Sequence, residues 1–335
     1  MRILAIESSC DESAVAVLDG ESRRFTHEFI SSQIAIHRQF GGVVPDLAGR
    51  EHRFALPKLI ERWRESDSFV APDMIAITYG PGLACALDAG LSVARELANF
   101  YECPLLGINH LRGHALSPFI PMWQENQPWS DFFPHLGLLV SGGNTLLFSM
   151  NESFIIQVLA ETVDDAAGEA LDKGARMLGL PYPGGGPIEK LARGGNAKAY
   201  NFPRAFTPST RKFSFSGLKT SLLYQLQKMQ ADEILQCKSD LCASYLQAVC
   251  DALVKKVDYI TGEFGPRSIG FSGGVSQNGI LRGEMENICS RRNLPLLLTP
   301  RQYCGDNASM IAFAAMVDAS SGEISPTRFH PKLKL

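Results

Sequence analysis

The chain of 335 residues carries one structural unit twice in diverged form, and this repeat restricts its fold more than any other feature. Residues 2–18 read as strand, polar turn, strand: Ile3-Leu4-Ala5-Ile6, then Glu7-Ser8-Ser9-Cys10-Asp11-Glu12-Ser13, then Ala14-Val15-Ala16-Val17-Leu18. Residues 136–150 repeat the pattern as Leu136-Gly137-Leu138-Leu139-Val140, then Ser141-Gly142-Gly143-Asn144-Thr145, then Leu146-Leu147-Phe148. Both predict hairpins whose turns are built from small hydroxyl or glycine residues. A second unit also recurs. The strand pattern Asp73–Thr78 runs into Gly80-Pro81-Gly82 and then a helix with Leu83, Leu87, Leu91, Ala94 and Leu97 at helical spacing. Later, Ser268–Phe271 runs into Ser272-Gly273-Gly274-Val275, followed by Asn278–Arg282.

A hairpin followed by strand, glycine turn and helix, present in each half, predicts an α/β protein of two βββαβα-type lobes with a central cleft. That is the architecture of actin, Hsp70 and the sugar kinases. Backbone N–H groups exposed at Gly and Ser turns suit a phosphate chain. No G-x-G-x-x-G follows a strand and no Walker lysine loop is present, so neither a dinucleotide-binding fold nor a P-loop is indicated. The polar, proline-bounded run Met122–Trp129 marks the lobe boundary. The expected division is an N-terminal lobe over 1–125, completed by a C-terminal helix at about 307–330, and a C-terminal lobe over 130–306. Within the latter, residues 188–230 read as an insertion, irregular at first, then helical from Gly217 through Met229.

Composition sets the class. With 45% hydrophobic and 20% charged residues, the chain reads as an ordinary soluble globular protein. Its longest apolar runs are strand-length, short of the ~20 residues a membrane span needs. The N-terminus enters a strand pattern at once, without a signal segment. Eight cysteines without a C-x-x-C pair predict reduced thiols and a cytoplasmic protein. A net charge of −3 excludes a global field that draws in nucleic acid. The local balance is different. Residues 188–220 carry Lys190, Arg193, Lys198, Arg204, Arg211, Lys212 and Lys219 against Glu189 alone, whereas residues 151–173 are acidic apart from Lys173. Such a distribution fits an anionic macromolecule docking beside a polar site, and equally a solvated loop.

The chemistry begins with His110 and His114 in Ile108-Asn109-His110-Leu111-Arg112-Gly113-His114. On a helix, positions i and i+4 share a face, and two imidazoles so placed can ligate one divalent metal. The preceding Pro104–Ile108 reads as a short strand, so the pair opens a helix at a strand's carboxyl end, where ligands favour binding in open α/β sheets. Leu111 stands where a zincin would carry its glutamate base, which disfavours a metalloprotease. Asp306, in Tyr303-Cys304-Gly305-Asp306-Asn307, is the best third ligand, with Cys304 a softer alternative. Asp306 also reads as the N-cap of the following apolar helix.

Three further segments stand out. Glu161–Lys173 reads as an acidic helix start on which Asp172 shares a side with Asp165 and Glu169. Tyr182-Pro183-Gly184-Gly185-Gly186-Pro187 is a glycine run that neither a packed helix nor a strand favours, suiting backbone pressed close to a ligand. Phe213-Ser214-Phe215-Ser216-Gly217-Leu218-Lys219-Thr220 mixes aromatics with a lysine, as RNA contact or a loop anchor would.

Taken together these motifs resemble the universal tRNA threonylcarbamoyladenosine transferases, the TsaD-type family once described as glycoprotein endopeptidases. The resemblance runs from Ile3 to about Ala315, through Ile6–Glu12, Gly41–Pro45, Gly80–Leu83, Asn109–His114, Leu139–Gly143, Asp164–Glu169 and Tyr303–Asn307. It implies that His110, His114 and Asp306 bind one divalent metal, iron or zinc. It implies that Leu139, Val140, Ser141, Gly142, Gly143, Asp172, Gly185, Glu189 and Asn278 hold threonylcarbamoyl-AMP or another adenine nucleotide, with Asp11 and Glu12 near the reacting group. The implied reaction transfers the threonylcarbamoyl group to N6 of adenosine 37 in a tRNA anticodon loop. The implied partners are that tRNA, a shorter TsaB-type paralogue of the same fold and a small TsaE-type ATPase, with no membrane and a homodimer in isolation. Three positions depart from the family pattern. Gly186 replaces a usual proline, Asn144 replaces the usual bacterial histidine, and Leu139 stands where archaeal members offer a tyrosine ligand. The rival readings are an ATP-dependent small-molecule kinase of the same fold and a non-catalytic scaffold paralogue.

Overall fold

The computed structural model describes residues 1–207, 210–319 and 328–335. Its chain forms two compact units, Met1–Pro128 with Pro300–Leu335, and Trp129–Thr299. The chain re-enters the first unit at Pro300 rather than after 306, because Tyr303 is buried there with its ring 5.5 Å from Phe25.

The first unit is built on a five-stranded sheet of β1 (Arg2–Glu7), β2 (Glu12–Asp19), β3 (Arg24–Ser32), β4 (Met74–Gly80) and β5 (Leu105–Asn109), in the order β3-β2-β1-β4-β5. β1 pairs antiparallel with β2 and parallel with β4. Its principal helices are α1 (Pro45–Arg64), α2 (Ala84–Tyr101) and α3 (His110–Leu116). The run Ile3–Ile6 is wholly buried, as expected of a central strand covered on both faces. Leu4 and Ile6 pack in one cluster with Leu56, Ile60 and Trp63 from α1 and Leu91 and Leu97 from α2. Each such side chain contributes roughly 1.5–3 kcal/mol on burial.

The second unit repeats this plan. Its sheet contains β6 (His135–Val140), β7 (Thr145–Met150), β8 (Ile156–Thr162), β9 (Lys212–Phe213), β10 (Ser268–Ser272) and β11 (Leu296–Leu298), ordered β11-β10-β6-β7-β8-β9. β6 pairs antiparallel with β7 and parallel with β10, as β1 does with β2 and β4. Strand for strand the sheets match, and β9 is the addition. The principal helices are α4 (Ala167–Met177), α5 (Gly185–Ala192), α6 (Ser216–Leu226), α7 (Lys238–Phe264) and α8 (Gly279–Arg292). α7 runs through the core, burying Leu241, Tyr245, Val249, Leu253, Val257 and Ile260, and stops at Gly265 in the left-handed region (φ 63°).

The last helix, α9 (Ala308–Asp318), belongs to the first unit, against β1, β2 and α3. Ala308 through Ala315 are all buried, which explains an apolar composition on every side. The expected helix at 307–330 is therefore seen over Ala308–Asp318 alone, and residues 320–327 lie outside the described residues.

Three expectations need correction. The glycine run is not an open loop, because Gly185, Gly186 and Pro187 form the first turn of α5; a proline there lacks only an N–H that a helix start leaves unpaired. Residues 188–192 consequently belong to a helix, and the irregular part begins after Ala192. The inserted helix spans Ser216–Leu226 rather than reaching Met229. Of the two readings of the Phe213–Thr220 segment the anchor holds, because Phe213 and Phe215 are 1% and 0% exposed and offer no platform to RNA.

Candidate metal centre and nucleotide turns

Asn109 ends β5 and caps α3, its Oδ1 accepting from the backbone N–H of Leu111 at 2.8 Å and of Arg112 at 3.4 Å. This cap places His110 on the first helical position and His114 one turn on. α9 then approaches α3 closely. A Cβ on Gly113 would meet Ile311 Cδ1 at 3.0 Å and Met310 Cγ at 3.1 Å. Arg112 also clamps Asp318 at the end of α9, with Nε and Nη2 each 2.6 Å from a carboxylate oxygen.

That approach brings Asp306 to the histidines. Its Oδ1 lies 3.1 Å from His114 Nε2 and 3.5 Å from His110 Nε2. Asp306 does not cap α9; Asn307 does, accepting from Met310 N at 2.9 Å. The neighbouring asparagine thereby leaves the carboxylate to the imidazoles. All three ligand atoms fall within 4.8 Å of one another. Donors about 2.1 Å from a tetrahedral ion stand roughly 3.4 Å apart, so two nitrogens and one oxygen fit a divalent metal with a position left open.

Glu7, which the sequence reading did not select, completes the cluster. It is 0% exposed. Its carboxylate meets His110 Nδ1 at 3.0 Å and accepts from Ser9 N at 2.6 Å and from the Thr78 hydroxyl. With Nδ1 held, His110 turns Nε2 toward Asp306, the arrangement of a carboxylate–histidine–metal relay. Burial opposes the charge on all of these groups. At His110, Glu7 and Asp306 outweigh it and raise the pKa to about 9. Despite burial, His110 lowers Glu7, and His110 with His114 lowers Asp306 to about 2. His114 is lowered, by burial first.

The Ser8–Ser13 turn adjoins this cluster. His52 from α1 bridges the Cys10 carbonyl (2.9 Å) and the Ser13 hydroxyl (2.7 Å). Ser9 Oγ lies 3.2 Å from His110 Nδ1. Asp11 is 8% exposed. Burial, with repulsion from Asp306 and Asp11, pushes the Glu12 carboxyl up to about 10 while Asp306 carries no ion.

The proposed nucleotide residues lie in the second unit. At the β6–β7 turn, Ser141 N donates to the Asn144 carbonyl at 2.8 Å, and Gly142 and Gly143 are exposed with open space where a Cβ would stand. α4 begins against this turn. Ala167 N donates to Thr145 Oγ1 at 2.8 Å, and a Cβ on Gly168 would collide with the Ser141 carbonyl at 2.3 Å. A small-residue turn beside a helix N-terminus favours an anion. Asp172 accepts from Gly184 N at 2.6 Å, fixing the start of α5. Glu189 accepts from Gly279 N at 3.0 Å, and Asn278 caps α8 through Leu281 N at 3.0 Å. Asp172 with Gly185, and Glu189 with Asn278, are thus joined through the starts of α5 and α8. Leu139 and Val140 are 0% exposed, so their side chains belong to the core and only their backbone can serve a ligand.

The family model for TsaD, tRNA N6-adenosine threonylcarbamoyltransferase, matches residues 24–313. The tRNA N6-adenosine threonylcarbamoyltransferase of Thermosipho africanus is 42% identical over 94% of this chain and 93% of its own length. The chain belongs to the TsaD family. A second member, from Anaeromyxobacter sp., is 44% identical over 94% of the chain and 93% of its own. Among solved structures, full-length HypF in its phosphate- and nucleotide-bound form superposes with a TM-score of 0.60 at 14% identity, covering 96% of this chain and 47% of HypF. The chain thus spans about half the length of the HypF it matches. The activator of 2-hydroxyisocaproyl-CoA dehydratase from Clostridium difficile gives a TM-score of 0.50 at 12% identity, over 97% of this chain and 100% of that one. At those identities the likeness is of fold alone, and it agrees with the two-lobed α/β architecture read from the repeat.

Proposed function

We propose that this chain transfers a threonylcarbamoyl group to N6 of adenosine 37 in tRNAs that read codons starting with A. The observation that carries this reading is membership of the TsaD family over most of the chain, with the His110–His114–Asp306 donor set kept together. The donor is threonylcarbamoyl-AMP. N6 forms a bond to the carbamoyl carbonyl carbon, the bond from that carbon to the phosphate oxygen breaks, and AMP leaves with the electron pair. Asp11 or Glu12, side by side in the Ser8–Ser13 turn, accepts the proton that N6 releases. The Ser141–Gly143 turn and the start of α4 take the phosphate, and Gly185, Glu189 and Asn278 take the adenosine, with Asp172 fixing the glycine turn.

A divalent ion on His110, His114 and Asp306 supplies Lewis-acid polarisation. Two imidazoles and a carboxylate suit iron(II) and zinc alike. Glu7 keeps His110 in the tautomer that presents Nε2. No helix among the described residues is long and apolar enough to cross a membrane. The setting we propose is the cytoplasm, with a shorter paralogue of the same fold and a small ATPase as partners.

The test is reconstitution. Purified, metal-loaded protein is combined with those partners, unmodified tRNA, threonine, bicarbonate and ATP, and the digested nucleosides are resolved by mass spectrometry. Threonylcarbamoyladenosine is the expected product, and its absence would overturn the reading.

A further inference from the structure

Residues 190–231 hold eight lysines and arginines and no acid, in a chain with 35 Asp and Glu. The structure sets the three arginines among them apart from the lysines of β9 and α6. The arginines are engaged within the fold: Arg193 with Glu189 (2.8 Å), Arg204 with Asp251 (2.6 Å) and Arg211 with Glu263 (2.8 Å). Lys212 on β9 and Lys219 on α6 are exposed, and neither has an ion pair among the described residues. Glu161 of β8 lies in register with Lys212, while α6 itself contains no acid.

α6 buries Leu218 and Leu222 and turns the opposite row outward. Lys219, Thr220, Leu223, Tyr224 and Gln227 are exposed, Leu223 by 41% and Tyr224 by 58%. A large aromatic left in solvent beside lysines calls for an occupant, and phosphates with an unstacked base match it. The ammonium groups neutralise phosphates, while the phenol ring offers a stacking face.

This face is fixed in place. The Asp164 carboxylate accepts from Phe215 N and Ser216 Oγ, each at 2.8 Å, at the start of α6. Lys256, 1% exposed, donates to the carbonyls of Thr207 (2.9 Å) and Thr210 (2.6 Å), just ahead of β9. α6 also packs on α4, the helix whose Gly168 abuts the Ser141 turn. The exposed row therefore stands one helix away from the turn assigned to the phosphate, within the same unit.

We infer that the outer face of α6 with the β9 edge grips the single-stranded part of the tRNA, Lys212 and Lys219 on phosphates and Tyr224 against a base. The inference rests on the proposed transfer to tRNA. It is tested by fluorescence anisotropy of labelled, unmodified tRNA over a range of salt. The double variant Lys212→Gln/Lys219→Gln lowers the slope of log affinity against log salt by about 1.4 to 2. Tyr224→Ala weakens binding about tenfold without changing the slope, and Tyr224→Phe restores it. AMP affinity, measured by calorimetry, stays at the wild-type value in each variant. Lys219→Arg, which keeps the charge, retains its share of the slope; loss of that share would overturn the electrostatic role. Wild-type affinity and slope in the double variant would overturn the inference and leave this face to a protein partner. Wild-type protein that binds no tRNA would remove the proposed function and this surface together, a result distinct from failure of the variants alone.

Discussion

Glu7 meets an imidazole, a backbone N–H and a hydroxyl in a place without solvent. A carboxylate so buried is held by its partners or not tolerated at all. Glu7→Gln keeps the shape but loses the charge that orients His110, and metal affinity should fall about 10- to 100-fold. Competition against a chelator would measure this, and unchanged affinity would refute the role. The same cluster sets a pH dependence in the metal-free protein. His110 has its pKa raised from 6.5 to about 9, so its charged form stabilises the fold fully below about pH 6.5 and that contribution is lost as pH rises through 9. Melting temperature should fall across that window, and His110→Gln should flatten the fall. Of this cluster, the histidine pair and Asp306 were legible in the sequence through spacing and motif. Glu7 was not, because a strand-ending glutamate before two serines looks like a solvated turn until the fold closes over it.

Elements were read well where one pattern dominated and poorly where two signals competed. β6 and β7 were plain from their apolar runs, and α3 from its position after β5. The α5 start was misread because glycines argue for a loop, whereas Asp172 holds Gly184 and lets Gly185 and Gly186 enter a helix. Phe213 and Phe215 were ambiguous for a similar reason: burial, not residue type, decides whether an aromatic anchors or binds. Asp164 shows how much one side chain organises at this scale, since it receives Ser214, Phe215 and Ser216 together. Asp164→Ala should cost about 1–2 kcal/mol, as loss of a helix cap does, and should expose the α6 segment to limited proteolysis. Denaturant titration beside a protease time course would decide; an unchanged midpoint and cleavage pattern would show that the start of α6 is held by other contacts.

For the molecule as a whole, the internal repeat announced two sheets of one design, and the observed strand orders bear this out. The insertion that adds β9 and α6 was placed but not shaped, because no second copy of it exists in the chain to read against. The repeat also left hidden where the polypeptide changes hands. The entire second unit is spliced between α3 and α9, so the hydrogen-bonded pair His114–Asp306 is separated by 192 positions. During synthesis the ribosome releases both histidines long before Asp306 has been translated. The nascent chain must hold an unfinished donor set while a whole second sheet is made and folded. The three-donor set is therefore complete only after the whole second unit has been translated, and a chain cut short anywhere within that unit lacks the aspartate altogether.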